Sequence, residues 1–160
     1  MNFNEFEEFV LSEKCFNNHD VSYIDDDGLQ HYLTYDSYYE YHPKIMHQLL
    51  MTNNTIKVEQ MERHYGYINQ TAHVFFNKKD GPTFGVHTDP VKVIIECLDG
   101  TKYMEVEGRE VELRPGEYVH IPPNTEHRAL NYKKALMVSY GISDTETLDG
   151  IRENNGDMQS

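Results

Sequence analysis

The chain has 160 residues, and its 14 Lys and Arg against 27 Asp and Glu give a formal net charge of −13. A field of that sign repels phosphate backbones and anionic lipid surfaces, which excludes nucleic acid and membrane from the expected partners. The length suits one domain, the acidic start Met1-Asn2-Phe3-Asn4-Glu5 is unlike a secretory leader, and Cys15 and Cys97 form no CxxC pair, so the chain reads as cytoplasmic with reduced thiols.

Residues 1–70 read as a helical and aromatic extension packed on the rest of the chain. Phe3, Phe6, Phe9 and Val10 recur at helical spacing among glutamates and predict an amphipathic helix. Between Cys15 and Pro43 there is no lysine or arginine, yet six of the twelve tyrosines fall there. That anionic stretch, densest from Asp20 to Tyr41, is either a solvated face with packed rings or a lid for a cationic substrate. Pro43 opens a second helix through Ile45, Met46, Leu49 and Leu50, with Asn53-Asn54 as its stop.

From about Thr55 the period changes to short runs of Val, Ile, Tyr and Phe broken by Gly, Pro and Asp, an all-β pattern. Residues 71–142 form the expected core, with about seven strands in a sandwich or barrel. Asp99-Gly100 predicts a two-residue type I′ hairpin, which would set Cys97 opposite Lys102, Ile95 opposite Met104 and Val93 opposite Val106. In that register Lys102 lies on the apolar face. Glu107-Gly108 predicts a second turn of the same kind, Pro115-Gly116 marks the next, and residues 143–160 read as a polar tail.

Three residues carry the chemistry. His87 and Asp89, two apart in an extended segment before Pro90, point the same way, and His127 begins an alternation that turns it inward. Two imidazoles and a carboxylate on one side of a divalent metal leave three positions open, as in non-haem Fe(II) oxygenases. His120 is expected to point away, because Val119 and Ile121 make the better inward face. His73 shares a face with Phe75 and Asn77, and either lines a substrate pocket or, as the simpler expectation, sits at a core or edge position. Cys97 is expected to be a small apolar filler.

The spacing around these residues resembles the two motifs of the cupin superfamily. Gly81 is followed after five residues by His87-Thr88-Asp89; Gly116, Pro122, Asn124, His127 and Asn131 follow the second motif, with Asn124 where glycine is usual. Asparagine also tolerates the left-handed backbone such a turn needs. An ordinary metal cupin adds a glutamate four or five residues beyond the second ligand, where this chain has Val93 and Ile94. The remaining His/Asp/His set resembles the cupin-like Fe(II)/2-oxoglutarate oxygenases of the JmjC and asparaginyl-hydroxylase types, which also place a lysine on a following strand. Lys102, fifteen residues after His87, has that offset, whereas Met137 stands where the plant-type branch would have an arginine.

The resemblance implies a double-stranded β-helix, or jelly roll, preceded by the N-terminal helical extension. It implies Fe(II) held by His87, Asp89 and His127, and 2-oxoglutarate chelated to it with Lys102 on the distal carboxylate. Asn131 would bind the cosubstrate or a ligand imidazole. Dioxygen would then be spent on decarboxylating 2-oxoglutarate to succinate and hydroxylating a small molecule or protein side chain, cationic substrates included. The alternatives are a metal cupin that does not use 2-oxoglutarate and a ligand-binding cupin without turnover. The composition also leaves room for a homodimer.

Overall fold

A computed structural model describes residues 1–33, 43–65 and 71–143. The helical turn expected after Ser143 and residues 34–42, which hold four of the six tyrosines of the acidic stretch, lie outside the described residues.

Helix α1 (Phe3–Val10) starts at Asn2, whose side chain accepts from the Glu5 N–H while the Glu5 carboxylate accepts from the Asn2 N–H, a reciprocal cap. Ser12 caps α2 (Glu13–Asn18) through the Cys15 N–H. Helix α3 (Pro43–Met51) begins at the proline, as the sequence predicts, and α4 (Glu62–Tyr65) is a single turn.

The described residues hold ten strands: β1 (Val21–Ile24), β2 (Gln30–Tyr32), β3 (Thr55–Val58), β4 (Thr71–Asn77), β5 (Lys92–Gly100), β6 (Lys102–Val106), β7 (Arg109–Leu113), β8 (Tyr118–Ile121), β9 (His127–Leu130) and β10 (Ala135–Ile142). Seven of them lie in residues 71–142, the number expected there. They form an antiparallel seven-stranded sheet in the order β2-β1-β3-β4-β10-β5-β8 and a three-stranded sheet β7-β6-β9. The protein is mainly β, a jelly-roll sandwich with helices in its N-terminal part. That part is more than a helical cover, since β1, β2 and β3 extend the larger sheet.

Strand alternation gives the seven-stranded sheet two different faces. Ala72, Val74 and Phe76 of β4, with Leu136, Val138 and Tyr140 of β10, pack outward against Phe6 and Val10 of α1 and Met46 and Leu49 of α3. Phe6 stacks on Phe76 with centroids 5.3 Å apart. Burying side chains of this size contributes about 1.5–3 kcal/mol each, so α1 is a structural part of the sandwich. On the opposite face Val93, Ile95, Cys97 and Met137 meet Met104 and Leu113 of the small sheet.

The expected Asp99-Gly100 hairpin does not form. β5 pairs with β10 and β8, and β6 pairs with β7 and β9, so the chain crosses here from one sheet to the other. Asp99 instead accepts from the Phe3 N–H through Oδ2 (2.9 Å) and from the Gly100 N–H through Oδ1 (2.8 Å), placing a carboxylate at the start of α1. Gly100 takes φ +72°, and a Cβ there would collide with the Lys134 carbonyl. The dipeptide docks a helix rather than turning a hairpin. Glu107-Gly108, with φ of +51° and +76°, does form the tight turn between β6 and β7.

Candidate metal centre and its cavity

His127 opens β9 opposite Val106 of β6, and alternation turns it toward the sandwich interior. His87 lies in the loop between β4 and β5 and forms an isolated antiparallel bridge with His127, each N–H donating to the other's carbonyl at 3.0 Å. The next turn of loop is pinned by the Asn124 N–H, which donates to the Asp89 carbonyl at 2.7 Å. Asn124 has φ +59°, the left-handed conformation that its place in the motif requires.

The pinning brings one ligand atom from each of His87, Asp89 and His127 within 4.8 Å of one another. Asp89 Oδ2 lies 3.1 Å from His127 Nε2 and 3.8 Å from His87 Nε2. Nδ1 of His87 is 2.9 Å from the Gly85 carbonyl, and Nδ1 of His127 is 2.8 Å from the Thr125 carbonyl. A carbonyl only accepts, so both Nδ1 atoms carry the proton and a neutral ring presents its bare Nε2 to Asp89. A carboxylate facing two ring nitrogens is satisfied by a cation between them, whether a metal ion or a proton on one ring. Two nitrogens and an oxygen suit a divalent first-row metal.

A cavity of about 340 Å³ opens from this triad into the sandwich. Lys102, on the same face of β6 as Met104 and Val106, lines it and is 2 % exposed. The inward placement read from the sequence holds, although the register behind it does not. Alternation within β6 fixes the face whichever strand is the partner, and Cys97 looks into the same interior from the other sheet. Nζ of Lys102 donates to Oδ1 of Asn131 (2.7 Å) and of Asn77 (3.0 Å). Both amides are held in that orientation. Asn131 Nδ2 donates to the Gly81 and Pro82 carbonyls, and Asn77 Nδ2 to those of Lys78 and Lys133.

An ammonium has three donors, so one remains for the cavity. Among the described residues no carboxylate bonds or pairs with Lys102. Burial pulls its pKa from 10.5 down to about 7, and burial pushes the neighbouring Cys97 thiol up, so that thiol is no counter-ion. A lysine held in this way favours an anion as its third partner.

Of the residues assigned from the sequence, His87, Asp89, His127, Lys102 and Asn131 all line the cavity. Asn131 orients Lys102 and is not bonded to a ligand imidazole. His120 is exposed, as expected. His73 lines the cavity, which corrects the simpler core or edge expectation. Sequence reasoning missed two residues: Asn77, whose side chain completes the cradle of Lys102, and Lys57 on the β3 wall. The signal for both is alternation. Their strands turn the apolar side outward to the helices, so the polar side faces the cavity.

Residues 72–140 match the cupin domain family, and the architecture above is the cupin fold. No curated protein sequence matches the chain. Among solved structures, YcfD, a ribosomal oxygenase from Escherichia coli, superposes with a TM-score of 0.62 at 18% identity over 92% of this chain and 44% of its own. Its complex with cobalt and succinic acid gives 0.62 at 19% identity, over 92% and 45%. The conserved SPY1581 protein of unknown function from Streptococcus pyogenes gives 0.50 at 15% identity, over 59% and 79%. This chain therefore spans less than half of YcfD, and the likeness concerns the fold. No helix among the described residues is long and apolar enough to cross a membrane.

Proposed function

We propose that the protein is an Fe(II)- and 2-oxoglutarate-dependent oxygenase, with His87, Asp89 and His127 as metal ligands and Lys102 as the anchor of the cosubstrate's distal carboxylate. The observation that carries this reading is the pairing in one cavity of an open three-ligand triad with a buried lysine that has no carboxylate partner among the described residues. The YcfD complex with cobalt and succinic acid supports it by analogy of fold.

Iron and 2-oxoglutarate would supply the oxidative chemistry, consuming dioxygen and leaving succinate, carbon dioxide and a hydroxylated substrate. The chain's part is positional. The Gly85 and Thr125 carbonyls hold both imidazoles in the tautomer that exposes Nε2. Val106, opposite His127, and Lys102 stand four residues apart on β6, a span of roughly 14 Å at about 3.4 Å per residue. A short dicarboxylate would lie within that span, between the metal held by the triad and the Lys102 ammonium. Asn77 and Asn131 fix the ammonium, and Val93, Ile95, Met104 and Met137 keep the pocket dry enough for one ion pair to orient the ligand.

Anaerobic addition of 2-oxoglutarate to the Fe(II)-loaded protein is expected to produce a visible metal-to-ligand charge-transfer band, absent in Asp89→Ala. Iron binding with no band would point to a metal cupin that does not use 2-oxoglutarate. No iron binding would point to a module without turnover.

A further inference from the structure

The cavity holds a second lysine that the proposed cosubstrate does not use. Lys57 lies on β3 opposite Phe75 of β4, and its Nζ sits 5.7 Å from the ring centroids of both Phe75 and Phe84. Phe84 is 41 % exposed, so the ring beside this lysine reaches solvent. Among the described residues Lys57 makes no ion pair. Beside it, β4 and β10 present His73 opposite Ser139 and Thr71 opposite Gly141, all lining the cavity. That is a strip of hydrogen-bonding side chains next to an unpaired ammonium.

Charge decides what fits. Among the described residues Asp89 is the one carboxylate in the lining, and it belongs to the triad, whereas two lysines line the same space. With a divalent metal and a dianionic cosubstrate bound, the metal, Asp89, Lys102 and the cosubstrate cancel one another. One positive charge is left in the lining, that of Lys57, which Glu59 outside the lining offsets only in part. A cationic substrate would be repelled there, a doubly charged one such as a phosphate monoester would overshoot, and a monoanion balances it. The remaining surface near Lys57, formed by Phe75, Phe84, Val91 and Ile24, is apolar.

We propose that the substrate is an organic acid with an apolar body, and that Lys57 is the residue that binds its carboxylate. This rests on the oxygenase reading above and adds the substrate class. The acidic stretch from Asp20 contributes none of its described carboxylates to the cavity. Among the described residues the N-terminal part thus lines the cavity through Lys57, Thr55 and Ile24 and not through its carboxylates.

The test uses the full chain loaded with Co(II), which does not turn over, and saturated with 2-oxoglutarate. Calorimetric titrations compare hexanoate and phenylacetate with hexylamine and hexanamide. Both acids are expected to bind about tenfold or more tighter than the amine or amide, one charge-assisted contact being responsible for the difference. Lys57→Met is expected to remove that preference and Lys57→Arg to keep it, with 2-oxoglutarate affinity unchanged in both, which also shows that the variants fold. Acids that bind no better than hexanamide, or whose preference survives in Lys57→Met, overturn the proposal. Failure of 2-oxoglutarate itself to bind the wild type overturns the oxygenase reading instead, so the two outcomes are distinct.

Discussion

Replacing Lys102 by methionine keeps the length and apolar stem of the side chain and deletes the charge. In the wild type the ammonium is 2 % exposed and held by two amide oxygens, so a carboxylate bound to it forms a buried pair. Removing one partner of such a pair costs about 3–5 kcal/mol, because the other charge stays desolvated. At about 1.4 kcal/mol per factor of ten, the lower figure weakens 2-oxoglutarate binding roughly 150-fold. The two asparagine oxygens lose their donor in free and bound protein alike, so their cost cancels in the comparison. The assay is an anaerobic titration of the Fe(II)-loaded protein with 2-oxoglutarate, followed by the charge-transfer band. Because the ammonium of the empty cavity has a pKa of about 7, wild-type affinity should also fall about tenfold per pH unit above that value. Lys102→Met should lose this slope. A variant that binds within about threefold of the wild type at neutral pH, or a wild-type affinity that is flat above it, would refute the reasoning.

Other consequences concern the metal and the fold. Asp89→Ala should weaken Fe(II) or Co(II) binding by more than the roughly 10–100-fold typical of losing an outer hydrogen-bond partner, read by equilibrium dialysis; retention of the metal would remove Asp89 from the ligand set. Lys102 also makes stability depend on pH. Its folded pKa of about 7 lies below the ordinary 10.5, so between these values the unfolded chain binds more protons and stability rises with pH. The full penalty, of order 5 kcal/mol, is present below pH 7 and is relieved as pH climbs to 10.5. Urea denaturation of metal-free wild type against Lys102→Met should show the gap in stability changing in that direction across the window; a constant gap would contradict it. Gly100→Ala should cost more than the ~1–2 kcal/mol of a left-handed alanine, because its Cβ meets the Lys134 carbonyl. Gly108→Ala, with open space around it, should cost only that amount, and equal losses would refute the crossover account. Phe6→Ala should lose about 3–5 kcal/mol in the same assay, since Phe6 is fully buried against Phe76; a loss under about 1 kcal/mol would mean that α1 is merely appended.

What could be read from the residues depended on whether the signal was local. The triad was legible because an HxD segment and a histidine at motif spacing survive any detail of strand pairing. Lys102 was legible for the same reason: the face of a side chain is set by parity along its own strand. The separation of β5 from β6 was not legible, because an acidic residue before a left-handed glycine serves two different tasks equally well. At Glu107-Gly108 the pair closes a hairpin, yet at Asp99-Gly100 the aspartate caps α1 and the glycine makes room for the Lys134 carbonyl. Nothing local to Asp99 announces that helix. Strands β1 and β2 were missed because three- and four-residue runs beside an acidic turn lack a measurable period. Lys57 was passed over because a lysine between Ile56 and Val58 looks like the solvent face of a strand. The helices cover the apolar face instead, and the polar one looks into the cavity.

The most direct test of the central claim is a crystal structure of the protein with Co(II) and 2-oxoglutarate. The account predicts cobalt bound by Nε2 of His87, Nε2 of His127 and the Asp89 carboxylate, with the far carboxylate of 2-oxoglutarate in hydrogen-bond contact with Lys102 Nζ. Cobalt bound elsewhere, or a ligand that leaves Lys102 with only its two asparagines, would contradict it.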